Sequence, residues 1–233
     1  MDFYSGSSTT ADAVMQLNVK DNGNRKFIMV QYPEDLDRNL EQADTLSKKS
    51  IKLAISICNK IGAPHTIPEI AKERIKRAGK KIKEEHSEAK DLDIGFRVFR
   101  VDESNFEDIE RTPKEYHQDQ LDLFLNNVKS DRDDLDLLFG CMLDWGVKLS
   151  LPMSSEEVDG KMIYTVNDGD LVACFAEKVT DSVVRAMADK QPLRVIFRDS
   201  CFAQDADKIN IYETFKQLLD WSDKDVEKNI RVI

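Results

Sequence analysis

The feature that most limits what this chain can become is its first ten residues, Met1-Asp2-Phe3-Tyr4-Ser5-Gly6-Ser7-Ser8-Thr9-Thr10, followed by the helix-compatible Ala11-Asp12-Ala13-Val14-Met15-Gln16-Leu17. An apolar start ends in an acid, a run of small residues follows, and then a helix begins. That is the order strand, tight loop, helix. Gly6 permits a positive φ and lets a ligand approach the backbone closely. Ser7, Ser8, Thr9 and Thr10 offer hydroxyls suited to a helix N-cap, and the amides that open the helix point at whatever sits in the loop. Turns of this order are where open α/β sheets bind nucleotide-like ligands. The competing reading is a solvated lead-in that binds nothing, since short glycine motifs give false positives.

The next segments extend the pattern. Asp21-Asn22-Gly23-Asn24 is a turn, and Arg25-Lys26-Phe27-Ile28-Met29-Val30-Gln31 reads as a buried strand ended by Tyr32-Pro33-Glu34. Strand–loop–helix–strand is half of a parallel nucleotide-binding unit. In such units an acid or amide just past the second strand holds ribose hydroxyls, which makes Gln31 and Glu34 the candidates. The alternative for Glu34 is a plain cap of the next segment. Apolar spacing predicts one helix over 39–61, stopped by Gly62-Ala63-Pro64, and a second over Ile67–Glu85. The outer face of that second helix carries Lys72, Arg74, Lys76, Arg77, Lys80, Lys81 and Lys83. Such a face is either solvated or follows phosphates. Ile94–Asp102 alternates apolar and basic residues and reads as a third strand. At its end Asp102 is either a turn residue or a group facing a bound base.

From Arg111-Thr112-Pro113 onward the texture changes. Helices are expected over 114–129 and 131–145, a strand over Val147–Leu151, and hairpin turns at Glu157–Lys161 and Asn167–Asp170. A helix from Asp181 to Ala188, a strand over Leu193–Arg198 and a last helix near Ile211–Trp221 follow. This predicts two domains, 1–112 and 113–233, the second a mixed α+β domain. With 41% hydrophobic and 33% charged residues the chain can bury a core. Its net charge of −10 is uneven: 19 basic against 20 acidic residues up to Thr112, then 15 against 24. DNA contact therefore belongs to the first half and protein contact to the second. Cys58, Cys141, Cys174 and Cys201 are scattered, as reduced cytoplasmic thiols are. His65, His86 and His117 lack metal-ligand spacing, so no metal is expected. No run is long enough for a membrane span and no signal peptide is visible, which predicts a cytoplasmic protein. The loop has no Gly-Lys-Ser/Thr ending, against a nucleoside triphosphate site.

The stretch Asp2–Val14 resembles the S-adenosylmethionine loop of amino-DNA methyltransferases, and above all that of the modification subunits of type III restriction–modification systems. Ser8 stands where many relatives have a second glycine. Ile70-Ala71-Lys72-Glu73-Arg74-Ile75 is similar to the helix that follows the cofactor region in this class. Pro192–Ser200 and Lys208-Ile209-Asn210 are similar to the tail of those subunits. The resemblance implies an α/β fold: a partial Rossmann-like methyltransferase sheet that binds S-adenosyl-L-methionine, then the mixed α+β C-terminal domain. It implies a cofactor site of Asp2, Phe3, Tyr4, Gly6, Ser7, Ser8, Thr9, Thr10, Gln31 and Glu34. It implies methylation of adenine N6 in DNA by the intact protein, with DNA, a restriction subunit and a second modification subunit as partners. The family's catalytic Asp-Pro-Pro-Tyr loop is missing, because none of the six prolines adjoins another. In the β class that loop precedes the cofactor motif, so the chain is expected to be the C-terminal part of such a subunit and inactive alone. The rival expectation is a non-catalytic module that docks a restriction subunit or a second copy.

Overall fold

The computed structural model describes residues 1–87, 92–107, 127–202 and 205–233, and the chain separates into two compact units, Met1–Arg100 and Val101–Ile233. The boundary expected at 112/113 lies outside the described residues, as does most of the helix expected over 114–129. The end of that span is not helical: Val128 forms an isolated antiparallel bridge with Phe106.

In the first unit α1 (Thr9–Asp21) packs against α4 (Ile67–Glu85), the latter within the bounds its apolar spacing predicts. Their shared core is Ala11, Met15, Ile75 and Ile82, with Phe27, Met29, Leu92, Ile94 and Phe96 laid against it. Gly79 makes this possible. A Cβ there would stand 3.2 Å from the Ile94 Cβ, a tight contact, so the glycine lets segment 92–96 lie close on α4. The single helix expected over 39–61 is two, α2 (Leu36–Gln42) and α3 (Thr45–Ile61). The break has a local cause. Asp44 turns extended and accepts from the Ser47 amide, and this N-cap competes with continuing the helix. Gly62, at φ 65°, ends α3 as a left-handed C-cap.

The strands expected at 25–31 and 94–102 do not form ladders. The first is reduced to one parallel bridge, Asp2 to Met29, made by Asp2 N–H donating to Ile28 O (2.9 Å) and Val30 N–H to Asp2 O (2.8 Å). Phe27 and Met29 face the helices, but Ile28 and Val30 are 58% and 42% exposed. A run of four apolar residues suits a strand covered on both faces; here one face is covered. Segment 92–101 forms no strand; Ile94 and Phe96 pack against the core while Val98 and Phe99 are exposed.

The five-stranded sheet stands in the second unit instead, with order β1 (Met153–Val158), β2 (Lys161–Val166), β3 (Leu171–Cys174), β4 (Val195–Phe197), β5 (Ile230–Val232). The pairs β1–β2 and β2–β3 are antiparallel, and β3–β4 and β4–β5 are parallel. The residues expected as a strand over Val147–Leu151 lie outside the sheet; β1 begins just after them. α6 (Asp181–Asp189) connects β3 to β4, while α7 (Asp205–Leu219) and α8 (Asp223–Asn229) connect β4 to β5. Period-two alternation sorts the strand residues. Val172, Cys174, Val195 and Phe197 face Val184, Met187, Phe215 and Val226 of α6–α8. Leu171, Ala173 and Ile196 face Leu138 and Met142 of α5 (Asp134–Asp144). Both faces of the central strands are therefore covered, in three layers. The fold is a mixed α/β one.

Candidate functional site

The opening loop is organised by its own backbone and by Gln31. The Ser5 amide donates to Val30 O at 3.2 Å, just past the parallel bridge. The chain then turns through Gly6 at φ 51° and Ser8 at φ 57°, and the Ser8 amide closes on Ser5 O at 2.7 Å. A Cβ at Gly6 would meet nothing within 4 Å, so the space beside its backbone is open to a ligand. The Gly6 amide donates to Gln31 Oε1 at 2.8 Å, which fixes the loop against the end of the second segment. One carboxylate pins both loop ends: Asp2 accepts from the Tyr4 amide (3.2 Å) and from Thr10 Oγ1 (2.8 Å).

The ten residues singled out in the sequence fall into three groups. Asp2, Gly6, Ser8, Thr10 and Gln31 are brought together in one hydrogen-bonded turn. Phe3, Tyr4, Ser7 and Thr9 lie along the same loop, with Phe3 63% and Tyr4 92% exposed. Glu34 lines a polar groove of about 270 Å³ with Tyr32, Arg38, Asn39 and Gln42, and accepts from Asn39 Nδ2 at 3.2 Å. No residue of the loop lines that groove. The cap of α2 is Asp35, which accepts from the Asp37 and Arg38 amides, so Glu34 is left with Asn39 and the groove.

Two details differ from expectation. Ser8 occupies the N-cap position of α1 but makes no side-chain cap bond, because its left-handed backbone turns the hydroxyl toward Ser5 Oγ at 3.5 Å. Ser5, absent from the predicted set, is 7% exposed and anchors the loop to Val30. The only hint of it in the sequence is a small polar residue between an aromatic and a glycine. As for Asp102, it stands in the second unit 3.7 Å from Arg132 and caps the Glu103 amide, a turn residue with an ionic partner. On α4, four of the predicted cations are tied to acids of their own helix: Lys72–Glu69, Arg77–Glu73, Lys80–Glu84 and Lys81–Glu85.

The thiols offer no nucleophile at neutral pH. Burial pushes Cys141 up to about 11 and Cys201 up to about 12, and raises Cys58 and Cys174 as well. Among the described residues no group of His, Cys, Asp or Glu is placed to hold a metal ion. No helix among them is long and apolar enough to cross a membrane.

No protein-family model matches the chain. Over 124 residues, 53% of its length, the chain is 35% identical to the Mod subunit of the type III restriction-modification enzyme StyLTI of Salmonella typhimurium. Over 101 residues, 43% of its length, it is 35% identical to the Mod subunit of the type III restriction-modification enzyme EcoPI of Escherichia phage P1. The matched stretches make up 15% and 13% of those two relatives.

Proposed function

We propose, from the relationship to type III Mod subunits that about half of this chain carries, that it forms the S-adenosyl-L-methionine-binding part of a DNA methyltransferase acting on adenine N6, its first unit being part of a Rossmann-like sheet. The observation behind this reading is the Asp2–Thr10 loop, fixed on a parallel bridge, with an open left-handed glycine at its turn. Backbone open at Gly6, beside a carboxylate and several hydroxyls, is chemistry that fits a zwitterionic, ribose-bearing ligand. Asp2, Phe3, Tyr4, Gly6, Ser7, Ser8, Thr9 and Thr10 would hold the cofactor, with Gln31 and Glu34 toward its ribose. The cofactor supplies an activated methyl group. The chain's own work is binding and orientation: Asp2 and Gln31 hold the loop in shape before the ligand arrives, which lowers the cost of ordering on binding.

Transfer to a base amine also needs a polar, aromatic-flanked pocket for a base rotated out of the duplex. These 233 residues hold no Pro-Pro pair and hence no Asp-Pro-Pro-Tyr loop. Alone, the chain binds cofactor weakly and transfers no methyl group. DNA and a restriction subunit are the partners of the assembled protein. A second reading, a docking module without cofactor, draws on the acidity of residues 113–233.

Photo-crosslinking with radiolabelled S-adenosylmethionine separates the two. Label on the chain that is lost in Asp2→Ala supports the first, and no label above background supports the second. Robust methylation of duplex DNA by this chain alone contradicts the inactivity.

A further inference from the structure

The second unit holds a cavity of about 180 Å³, and none of its lining residues belongs to the candidate cofactor site. One wall is a single face of α5, on which Leu137, Gly140, Cys141 and Asp144 follow at helical spacing. A second wall is the turn at residues 104–106. Asn105 ties this turn to α5, its Nδ2 donating to Asp136 O at 2.9 Å. The close approach depends on Gly140, since a Cβ there would stand 2.9 Å from the same Nδ2. Arg231 of β5 and Ile233 just beyond it complete the lining.

The interior of this cavity is apolar. Leu137 and Cys141 are buried, and burial pushes the Cys141 thiol up to about 11, so it is neutral at pH 7. Phe106 and Ile233 add apolar surface. Among the lining side chains, charge is confined to one pair. Arg231 Nη2 donates to Asp144 Oδ2 at 2.9 Å, and Arg231 Cζ lies 5.7 Å from the centre of the Trp145 ring. Both charges are thus held in place before any ligand arrives. They act on the interior: Arg231 favours the Cys141 thiolate and Asp144 disfavours it. Asp144 is also the last residue of α5, at the negative end of the helix dipole, where a cation is favoured. The side chains of Arg231 and Asp144 are 35% and 61% exposed, so a ligand can reach them from solvent.

We propose that this cavity binds a free aliphatic α-amino acid, its carboxylate on Arg231, its ammonium on Asp144 and its side chain against Phe106, Leu137 and Ile233. A lone anion is repelled by Asp144 and a lone cation by Arg231. A ligand that carries both charges on one carbon answers the pair and leaves neither half desolvated without a partner. The volume is that of about six waters at roughly 30 Å³ each, which suits a leucine and is too small for a nucleotide. The inference is independent of the methyltransferase reading and survives its failure.

An NMR titration of the full chain with L-leucine tests it, beside two probes that each keep one charge, isocaproate and isoamylamine. Leucine is expected to give saturable shifts at the Asn105, Gly140 and Arg231 amides, with a dissociation constant in the micromolar to millimolar range for so small a ligand. Either probe should bind at least tenfold more weakly. Arg231→Gln and Asp144→Asn, both checked for folding by circular dichroism, should each weaken leucine at least tenfold. Of the two probes, Arg231→Gln should weaken isocaproate alone and Asp144→Asn isoamylamine alone, a split that a general loosening of the cavity would not produce. No saturable shift up to about 10 mM leucine, a probe that binds as tightly as leucine, or folded variants that bind leucine and both probes as the wild type does would each overturn the proposal.

Discussion

The two units of this molecule solve the same problem unequally. In Val101–Ile233 the central strands are covered on both faces, and Leu138, Val172, Phe197 and Phe215 are all fully buried. In Met1–Arg100 the core is small, one parallel bridge stands where a ladder was expected, and Phe3, Tyr4, Ile28 and Val30 face water. The candidate cofactor loop lies in the second of these settings. A loop fixed by a few hydrogen bonds and few buried contacts belongs to the low-stability end of a protein, where ligand-binding segments commonly lie. The candidate chemistry thus lies in the less buried of the two units.

The sharpest test of this contrast is a pair of aromatic and aliphatic truncations. Phe215→Ala, at 0% exposure between Phe197 and Trp221, is expected to cost about 3–5 kcal/mol in denaturant unfolding. Ile28→Ala, at 58% exposure, is expected to stay within about 0.5 kcal/mol. Equal costs would dissolve the contrast. Next in size, Gly79→Val should cost about 1–3 kcal/mol, because its side chain must displace Ile94 from α4. A neutral outcome in urea melts would mean that segment 92–96 is not held there.

Alkali should act on the closed unit first. Burial raises Cys141 from 9.0 to about 11 and Cys201 from 9.0 to about 12. Burial, then the hydrogen bond to Asp134, raises Tyr164 from 10.0 to about 12. A group raised in the folded state stabilises fully below its unfolded pKa and loses that contribution as pH climbs through the folded value. The second unit should therefore lose stability from about pH 9 upward. Tryptophan fluorescence follows it, since Trp145 and Trp221 both lie there. A flat response to pH 12 contradicts the assignment. A smaller effect than that of Gly79→Val is expected of Asp2→Ala, which removes two exposed hydrogen bonds and should change stability by about 1 kcal/mol or less.

The sequence made the helices legible where apolar spacing and stop signals agreed, as for Ile67–Glu85 and for the helix expected over 131–145, found as Asp134–Asp144. It misled at 43–44, where a capping aspartate outweighed a continuous apolar stripe. Phe27–Val30 and Ile94–Val101 carry strand composition, but a strand also needs a neighbour in register, and composition does not supply one. Within the candidate site, the positive φ at Gly6 could be read from residue type alone. The roles of Ser5 and of Gln31 as anchors could not, since each depends on a contact some 25 residues away in the chain.

The central claim is that the Asp2–Thr10 loop is a cofactor site. An NMR titration of the full chain with S-adenosylmethionine tests it most directly, because amide shifts report binding too weak for calorimetry. Saturable shifts confined to the amides of residues 2–11 and 30–34 are expected, with their loss in a folded Gly6→Val variant, whose branched side chain occupies the space beside the loop backbone. The same saturable shifts in wild type and in folded Gly6→Val would contradict it.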